Sequence, residues 1–219
     1  MKNYSVLSTK ILTPIQEEQL RNAKIRFEAY DAIHIQLLDV EVQSHVKNAI
    51  ITSQNAARAI LRKKIVMKNT YCVGHKTKAL LEENQIAVIE TGQNAADLAH
   101  KIIEKHHTKS FTFFCGNRKM ETLPTLLEKH AIAIQEIEVY KTHLNPKTIE
   151  NHFNGILFFS PSAVTSYMLK NTIENSTAFC IGTTTAAQAE HYTKNIAVAP
   201  LPTVEHVLAQ VIKHKKTHD

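Results

Sequence analysis

The chain has 219 residues, 43% of them hydrophobic and 21% charged, which is the composition of an ordinary globular protein with one large domain or two smaller ones. Its apolar runs fall short of the roughly 20 residues that a membrane span needs, and its first ten residues turn polar too early for a signal peptide. Three cysteines without close spacing argue against a disulfide framework, so we expect a cytoplasmic protein with no membrane partner.

The formal net charge of +6 and the isoelectric point near 9.1 favour an anionic partner. The basic residues are scattered, and the one dense run, 213–216, is typical of a solvated chain end. The sequence has no zinc-finger spacing, no RNP-like aromatic motif and no separate helix-turn-helix segment. We therefore expect a small anionic ligand and no nucleic acid. We also expect a monomer, because nothing in the sequence signals an interface.

The first half of the chain alternates apolar strands with amphipathic helices. A strand at 5–9 is followed by a helix at 15–23, a strand at 25–27 and a polar, alternating extended stretch at 33–39. Short apolar runs such as 49–52 predict strands that are buried on both faces. A later helix shows apolar residues at helical spacing, namely Ala96, Leu98, Ala99, Ile102 and Ile103.

The second half of the chain repeats the first at low identity. Ser53 and Ser160 are 107 residues apart in matching segments, and Gly74 and Gly182 are 108 apart. The opening segment 5–9 aligns with 112–116, the helix at 15–23 with 123–130, and the extended stretch at 33–39 with 135–143. The sustained offset of 107 to 110 identifies an internal duplication.

Each copy predicts five strands alternating with helices, which is typical of an α/β fold with parallel sheets. We predict two flavodoxin-like lobes, joined by a two-stranded linker made of the extended stretches. The lobes are either two contiguous halves, or the opening strand-helix-strand completes the lobe built from the C-terminal segments. Periodicity alone does not decide between these topologies.

Parallel sheets bind ligands beyond the carboxyl ends of their strands, where helix N-termini present unpaired N–H groups to anions. Glycines and hydroxyl side chains at these ends let an anionic ligand approach and bind. Such a site in a cleft between the lobes is the functional interpretation, and helix capping alone is the structural one for Ser53, Thr77, Ser162 and Thr185. The predicted strand-end binding residues are Thr9, Lys10, Ser53, Asn55, Gly74, Thr77, Gly116, Ser160, Ser162, Gly182, Thr184 and Thr185.

Other chemistries lack their sequence signatures. There is no GxxxxGK[ST] or GxGxxG loop for a nucleotide, and no HExxH or paired CxxC for a metal, so we expect neither a metal nor a nucleotide cofactor. Cys72 and Cys180 lie in matching strands and are interpreted as small buried hydrophobic residues.

Five segments, in this order, resemble the uroporphyrinogen-III synthase family: TSQNAARAIL at 52–61, YCVGHKTKALL at 71–81, EVYKT at 138–142, FFSPSAV at 158–164 and CIGTTTAAQAE at 180–190. The resemblance implies a discontinuous first lobe of 1–35 with 144–219, a second lobe of 40–138, and linkers at about 33–40 and 136–144. It also implies cyclisation of the linear polycarboxylate tetrapyrrole hydroxymethylbilane to uroporphyrinogen III without a cofactor. The family's linker tyrosine matches Tyr140, which the resemblance makes a general acid or a positioning group.

The sequence departs from the family pattern at several points. Lys10 stands where many members have arginine after the first strand. An arginine there could bind a carboxylate through two parallel hydrogen bonds, whereas the lysine offers a single ammonium charge. Glycines that often follow helices in the family are replaced by Asn84, His130 and Lys194 or Asn195. Two other functions stay open at this point: a non-enzymatic two-lobed module that binds an anionic small molecule, and a different sugar- or nucleotide-modifying enzyme on the same scaffold.

Overall fold

A computed structural model describes residues 4–217, and within this range the chain forms eleven strands and eight helices. The strands are β1 (Ser5–Ser8), β2 (Arg26–Ala29), β3 (Ile33–Leu37), β4 (His45–Ile51), β5 (Val66–Val73), β6 (Val88–Gly92), β7 (Phe111–Gly116), β8 (Ile134–Leu144), β9 (Gly155–Phe158), β10 (Thr177–Cys180) and β11 (Ile196–Val198). The helices are α1 (Pro14–Asn22), α2 (Gln54–Lys63), α3 (His75–Glu83), α4 (Ala95–His106), α5 (Thr122–Lys129), α6 (Pro161–Met168), α7 (Thr183–Ala189) and α8 (Val204–Lys216).

The chain divides into two compact units. The first unit contains the described residues up to His34 and those from His143 onward, and the second unit runs from Ile35 to Thr142. The chain passes from one unit to the other within β3 and again within β8, and these two strands are neighbours in one sheet. The whole stretch 136–144 belongs to β8, which pairs with β7 as far as Tyr140.

The first unit is built on a five-stranded sheet in the order β2-β1-β9-β10-β11. Every adjacent pair is parallel, as the unalternated apolar strands predicted. Residues such as Val6 and Leu7 on β1 are buried on opposite faces, since Leu7 packs in a cluster with α6 and α7 whereas Val6 packs with α1 and α8. In chain order the strands run 2-1-3-4-5, which is the flavodoxin-like order.

The second unit has a six-stranded sheet in the order β3-β8-β7-β4-β5-β6. The strands from β8 to β6 are all parallel. When β7 and β8 are matched to β1 and β2, and β4 to β6 are matched to β9 to β11, the order is again 2-1-3-4-5. The two predicted flavodoxin-like sheets therefore share one arrangement.

Each sheet combines strands from both copies of the duplication. β1 and β2 from the first copy complete the sheet of β9 to β11, and β7 and β8 from the second copy complete the sheet of β4 to β6. Of the two topologies that the sequence left open, the described structure has the second, in which the opening strand-helix-strand joins the C-terminal segments.

The helices bury the faces that their apolar spacing predicted. On α4, Leu98, Ala99 and Ile102 are fully buried in a cluster with β7 and α5. All three cysteines are free and buried, and Cys72 and Cys180 pack as the small hydrophobic residues that the sequence predicted. None of the helices within residues 4–217 is long and apolar enough to cross a membrane.

The ends of α3 and α5 show how two helices finish without the glycines that often follow helices in the family. In α3 and α5 the chain leaves the helix through Gln85 (φ 63°) and Ala131 (φ 54°), in the left-handed region that usually favours glycine. The N–H groups of Ile86 and Ile132 then bond the carbonyls of Leu81 and Leu127, which satisfies the last turn without glycine.

Candidate functional site

Two matched serines begin helices at the carboxyl ends of equivalent strands. Ser53 follows β4 and caps α2, and its Oγ accepts the N–H of Ala56 at 3.1 Å. Ser160 follows β9 and caps α6, and its Oγ accepts the N–H of Ala163 at 3.1 Å. The duplication has therefore kept one capping contact at the same place in both units.

The remaining capping predictions are wrong. Thr77, Ser162 and Thr185 lie inside the first turns of α3, α6 and α7, and the N-cap positions belong to Gly74, Ser160 and Gly182. Thr77 and Thr185 are instead buried, at 5% and 1% exposure, because the third helical position faces the core there. Ser162 is half-buried and Thr184 is exposed, so both hydroxyl groups lie at the accessible side of their helix starts.

Gly74 and Gly182 meet different requirements although they match in sequence. Gly74 has φ +80°, a conformation that favours glycine, and its N–H bonds the carbonyl of Gly92 at 2.8 Å. Gly182 is extended, and a Cβ added there would meet only Cβ of Pro202 at 3.9 Å. The backbone requires glycine at Gly74 but not at Gly182.

Four helix starts carry no acidic residue at the N-cap or in the first turn, whereas α5 has Glu121 at its N-cap. These four helices are α2, α3, α6 and α7, which follow β4, β5, β9 and β10. By contrast α1, α4 and α8 each carry one acidic residue there, namely Glu17, Asp97 and Glu205. Since acidic side chains are favourable at helix N-termini, the four free starts keep their partial positive charge available to an anion.

Tyr140 reaches across a neighbouring strand to Ser53. In the order β8-β7-β4, its ring lies over Gly116 of β7, and its hydroxyl accepts the Ser53 hydroxyl proton at 3.1 Å. A Cβ at Gly116 would lie 2.5 Å from Cε2 and 2.9 Å from Cε1 of the ring. Because two strand spacings amount to roughly 9–10 Å, the phenol can cross only where the residue between has no side chain.

An irregularity in strand pairing places Tyr140 over Gly116. The register shifts between Cys115 and Gly116, so that Cys115 faces Glu138 whereas Gly116 faces Tyr140. Val139 is the extra residue on β8, and such bulges redirect the side chain that follows. Asn117 holds the end of the strand, since its Oδ1 accepts the N–H of Thr142 at 2.8 Å.

Burial raises the pKa of the half-buried Tyr140 phenol above its ordinary value of 10.0. The hydrogen bond from Ser53 acts in the opposite direction, and the neighbouring Cys115 thiol adds to the rise. The phenol is therefore protonated at neutral pH and can donate a proton.

The strand beside Ser160 in the first unit differs from the strand beside Ser53 in the second unit. Ala49 of β4 pairs with Thr112 of β7, whereas the matching Ile156 of β9 pairs with Leu7 of β1. β7 continues to Gly116, but β1 ends at Ser8. The sequence alignment of Ser5 with Thr112 is therefore wrong by two residues in structural terms. A repeat of low identity does not fix strand register.

Thr9 and Lys10 follow β1 in this unit. Thr9 is 2% exposed, and its hydroxyl already donates to the carbonyl of Leu157 at 2.7 Å. Lys10 is exposed, which leaves its ammonium group accessible to an anion. Ile11 is 52% exposed, and its N–H bonds the carboxylate of Asp31 at 3.0 Å.

Sequence reasoning missed one cation beside the second unit's site. The exposed Arg58 lies one turn into α2, and its guanidinium donates to Asn55 Oδ1 at 3.5 Å and to Gln54 Oε1 at 3.3 Å. The spacing of four residues from Gln54 places both on one helix face and could have identified it.

Other parts of the described chain present different features. Among residues 4–217, no group of three or more histidine, cysteine, aspartate or glutamate side chains is arranged to hold a metal ion. Two cavities of about 420 and 720 Å³ lie at the amino ends of strands in the first unit, and both are lined by Asn151, His152 and Phe153. These cavities are at the opposite sheet edge from the capped helix starts.

The fold and the strand ends define a class of protein: two doubly wound α/β units that interchange strands, with helix starts suited to anions and one phenol held at a strand end. The family model described as "Uroporphyrinogen-III synthase HemD" matches residues 17–209. The chain belongs to the uroporphyrinogen-III synthase family.

Solved structures of that name have the same fold. The chain is similar to uroporphyrinogen-III synthetase from Helicobacter pylori, with a TM-score of 0.70, 18% identity and coverage of 96% of this chain and 99% of that one. A mutant uroporphyrinogen III synthase from Thermus thermophilus gives a TM-score of 0.72 at 9% identity, covering 98% of both chains.

Two relatives are similar in sequence. An uncharacterized protein of Rickettsia prowazekii is 31% identical over 167 residues, which is 75% of this chain and 59% of that protein. A protein of Archaeoglobus fulgidus named "Putative uroporphyrinogen-III synthase" is 30% identical over 117 residues, 52% of this chain and 50% of that protein. The chain spans between half and three fifths of the length of these curated relatives.

Proposed function

We propose that this protein is a uroporphyrinogen-III synthase, a lyase that cyclises hydroxymethylbilane to uroporphyrinogen III in tetrapyrrole (haem) biosynthesis. The reaction removes water, inverts the last pyrrole ring and uses no cofactor. Family membership supports the reaction class. The observation that carries the proposal is the set of acid-free helix starts at matched strand ends in both units.

The substrate's charge fits these helix starts. Hydroxymethylbilane carries eight carboxylates, which need several separate positive sites, and the N-termini of α2, α3 and α6 can each receive one. The net charge of +6 attracts the polyanion from a distance.

The predicted binding residues take different roles according to their burial. Side chains that are exposed or half-buried can contact carboxylates directly, and these are Lys10, Asn55, Ser160, Ser162 and Thr184, together with Arg58. Ser53 caps the helix start of α2, and its hydroxyl proton is donated to Tyr140. Gly74, Gly116 and Gly182 shape the backbone at the strand ends. Thr9, Thr77 and Thr185 are buried, and they help to stabilise the structure at the strand ends.

The protein supplies little covalent chemistry in this reaction. The electrons of the terminal pyrrole expel the hydroxyl group, and Tyr140 donates a proton so that it leaves as water. The substituted carbon of the last ring attacks the resulting cation and forms a spiro intermediate. The original bond between that carbon and its methylene bridge then breaks, the bridge bonds instead to the free carbon of the same ring, and the C–H proton of that carbon is lost as the macrocycle closes. That proton restores the phenol, so the overall change is the loss of one water.

Orientation is the main contribution of the bound carboxylates. Without enzyme, the linear substrate closes at the free carbon of the last ring and gives the type I isomer. Holding the chain so that the substituted carbon is nearer the cation can lower the barrier by several kcal/mol, up to about 7–11 in favourable systems. Exclusion of water keeps the cation from being trapped.

The test is to incubate the protein with freshly made hydroxymethylbilane and to separate the isomers after oxidation to porphyrins. The proposal predicts type III product in excess over the type I that forms without enzyme. Type I product alone, at the rate of the buffer control, would show that the chain is a binding module or another enzyme.

A further inference from the structure

The Ser53 hydroxyl group makes two hydrogen bonds, one as acceptor and one as donor. Its oxygen accepts the N–H of Ala56, and its single proton points to the oxygen of Tyr140. A phenol oxygen that accepts a hydrogen bond keeps its own proton for another acceptor. The N–H that Ser53 receives also polarises its hydroxyl group and strengthens the bond that it gives.

The ring of Tyr140 is held at two further points. Gly116 leaves the space beneath the ring, and the irregular pairing at Val139 sets the direction of the side chain from β8. Neither feature fixes the rotation of the hydroxyl group. The contact from Ser53 does, because it occupies the side of the phenol oxygen that faces α2.

We propose that Ser53 is a positioning residue for the cyclisation: by donating its hydroxyl proton to Tyr140, it directs the phenol's own proton toward the leaving hydroxyl group of the substrate. The inference rests on the proposed function and adds to it a residue that acts through Tyr140. Ser53 gives up no proton in the reaction. It stabilises the phenolate between the donation of the proton to the leaving group and its return from the closing macrocycle.

The charges around the phenol agree with this role. Cys115 on β7 is the titratable neighbour that acts on Tyr140, and it raises the pKa of the phenol as burial does. The bond from Ser53 works against both and makes the phenol a stronger acid. Ser160 in the first unit has the same capping bond, but the neighbouring strand β1 ends at Ser8, and no hydrogen bond joins Ser160 to a tyrosine of the described residues.

The experiment compares three variants with the unaltered protein. Ser53→Ala removes both the helix cap and the donor to Tyr140, whereas Ser53→Thr keeps a hydroxyl group that can make both contacts. Asn94→Ala is the control, because it removes a matched cap in the same unit. Asn94 Oδ1 accepts the N–H of Asp97 at 3.0 Å. Rates of type III formation give kcat and KM separately. Carbon-13 labelling of the tyrosine Cζ atoms, assigned with Tyr140→Phe, follows the ionisation of this phenol alone.

The proposal predicts that Ser53→Ala lowers kcat about tenfold and changes KM by less than about twofold, since one hydrogen bond to the acid is lost. The pKa of Tyr140 rises in that variant. Ser53→Thr restores both values, and Asn94→Ala leaves both unchanged while it destabilises the fold.

Two results would overturn the inference: an unmoved Tyr140 titration in Ser53→Ala, or a fall in kcat that Asn94→Ala reproduces. A failure of the proposed function is seen separately. The unaltered protein would then form no type III product, whereas the titration still reports whether Ser53 controls the phenol.

Discussion

The carboxyl ends of β4 and β9 are alike in sequence and in capping, yet their surroundings differ. Beside Ser53, β7 and β8 continue to the level of the cap, and Tyr140 lies over Gly116 to meet it. Beside Ser160, β1 has ended at Ser8, and the residues that follow it leave the strand. One strand end therefore carries a phenol and the other does not.

This difference separates the two tasks of the proposed enzyme. Capped helix starts exist in both units, because capping and anion binding need only a serine and a free helix N-terminus. Proton donation needs a side chain fixed at a defined place, and only the second unit has the longer strands and the bare glycine that fix it. In the proposed enzyme, both units bind the substrate and the second unit alone donates the proton.

The largest effect is expected from Tyr140→Phe. The phenylalanine ring still fits over Gly116, but the proton donor is lost, so kcat for type III product should fall about 100-fold. Tyr192→Phe, at an exposed tyrosine of the first unit, is the matched control and should keep full activity. If Tyr140→Phe turns over at the unaltered rate, the second unit has no special chemical role.

A smaller effect is expected on stability, where substitutions of Gly116 and Gly182 should differ. Gly116→Ala places a Cβ against the Tyr140 ring and should destabilise the fold by about 1–3 kcal/mol through overpacking. Gly182→Ala makes only an ordinary contact with Cβ of Pro202 at 3.9 Å and should change the free energy of unfolding by less than about 1 kcal/mol. Urea unfolding followed by circular dichroism measures both. Equal losses of stability in the two variants would show that the Tyr140 ring does not pack tightly over Gly116.

The first unit should be the more sensitive to alkali. Burial raises the pKa values of Tyr4, Tyr30 and Tyr167 to about 12, with Tyr167 adding to the rise at Tyr30, and all three lie in that unit. Because the folded state holds these protons more tightly than the unfolded state, their stabilisation is complete below pH 10 and is lost as the pH rises toward 12.

Tyr30→Phe tests this sensitivity with one variant. The Tyr30 hydroxyl is buried without a hydrogen-bond partner among the described residues, so its removal costs no contact. We expect the variant to be more stable than the unaltered protein by about 1 kcal/mol at pH 11, with a smaller gain at pH 9. Urea unfolding at the two pH values measures the difference, and an identical pH dependence for both proteins would contradict the account.

The sequence allowed the elements and the strand-end positions to be predicted, because both depend on local patterns. Buried strands show as unalternated apolar runs, and the face of α4 shows in the spacing of Leu98 and Ile102. Hydroxyl groups and glycines directly after such strands mark the ends of a parallel sheet.

The contact between Tyr140 and Ser53 depends on long-range geometry that no local pattern records. It needs the order β8-β7-β4, the extra residue Val139 and the bare backbone of Gly116 together. Strand register also depends on long-range geometry. The constant offset of the repeat matched Ser5 with Thr112, but strand pairing places Leu7 beside Ile156 as it places Thr112 beside Ala49. Helix capping by Thr77 and Thr185 failed for a third reason, since their positions in the first turn face the core.

The most direct test of the account is the location of the ligand. Uroporphyrin III, the stable oxidised form of the proposed product, can be titrated into the isotope-labelled protein while backbone amide resonances are followed. The account predicts shifts at the helix starts of both units, at 53–56 and 160–163, with the Tyr140 Cζ resonance moving as well. Shifts confined to the cavities at the amino ends of the first sheet, around Asn151 and Phe153, would contradict it.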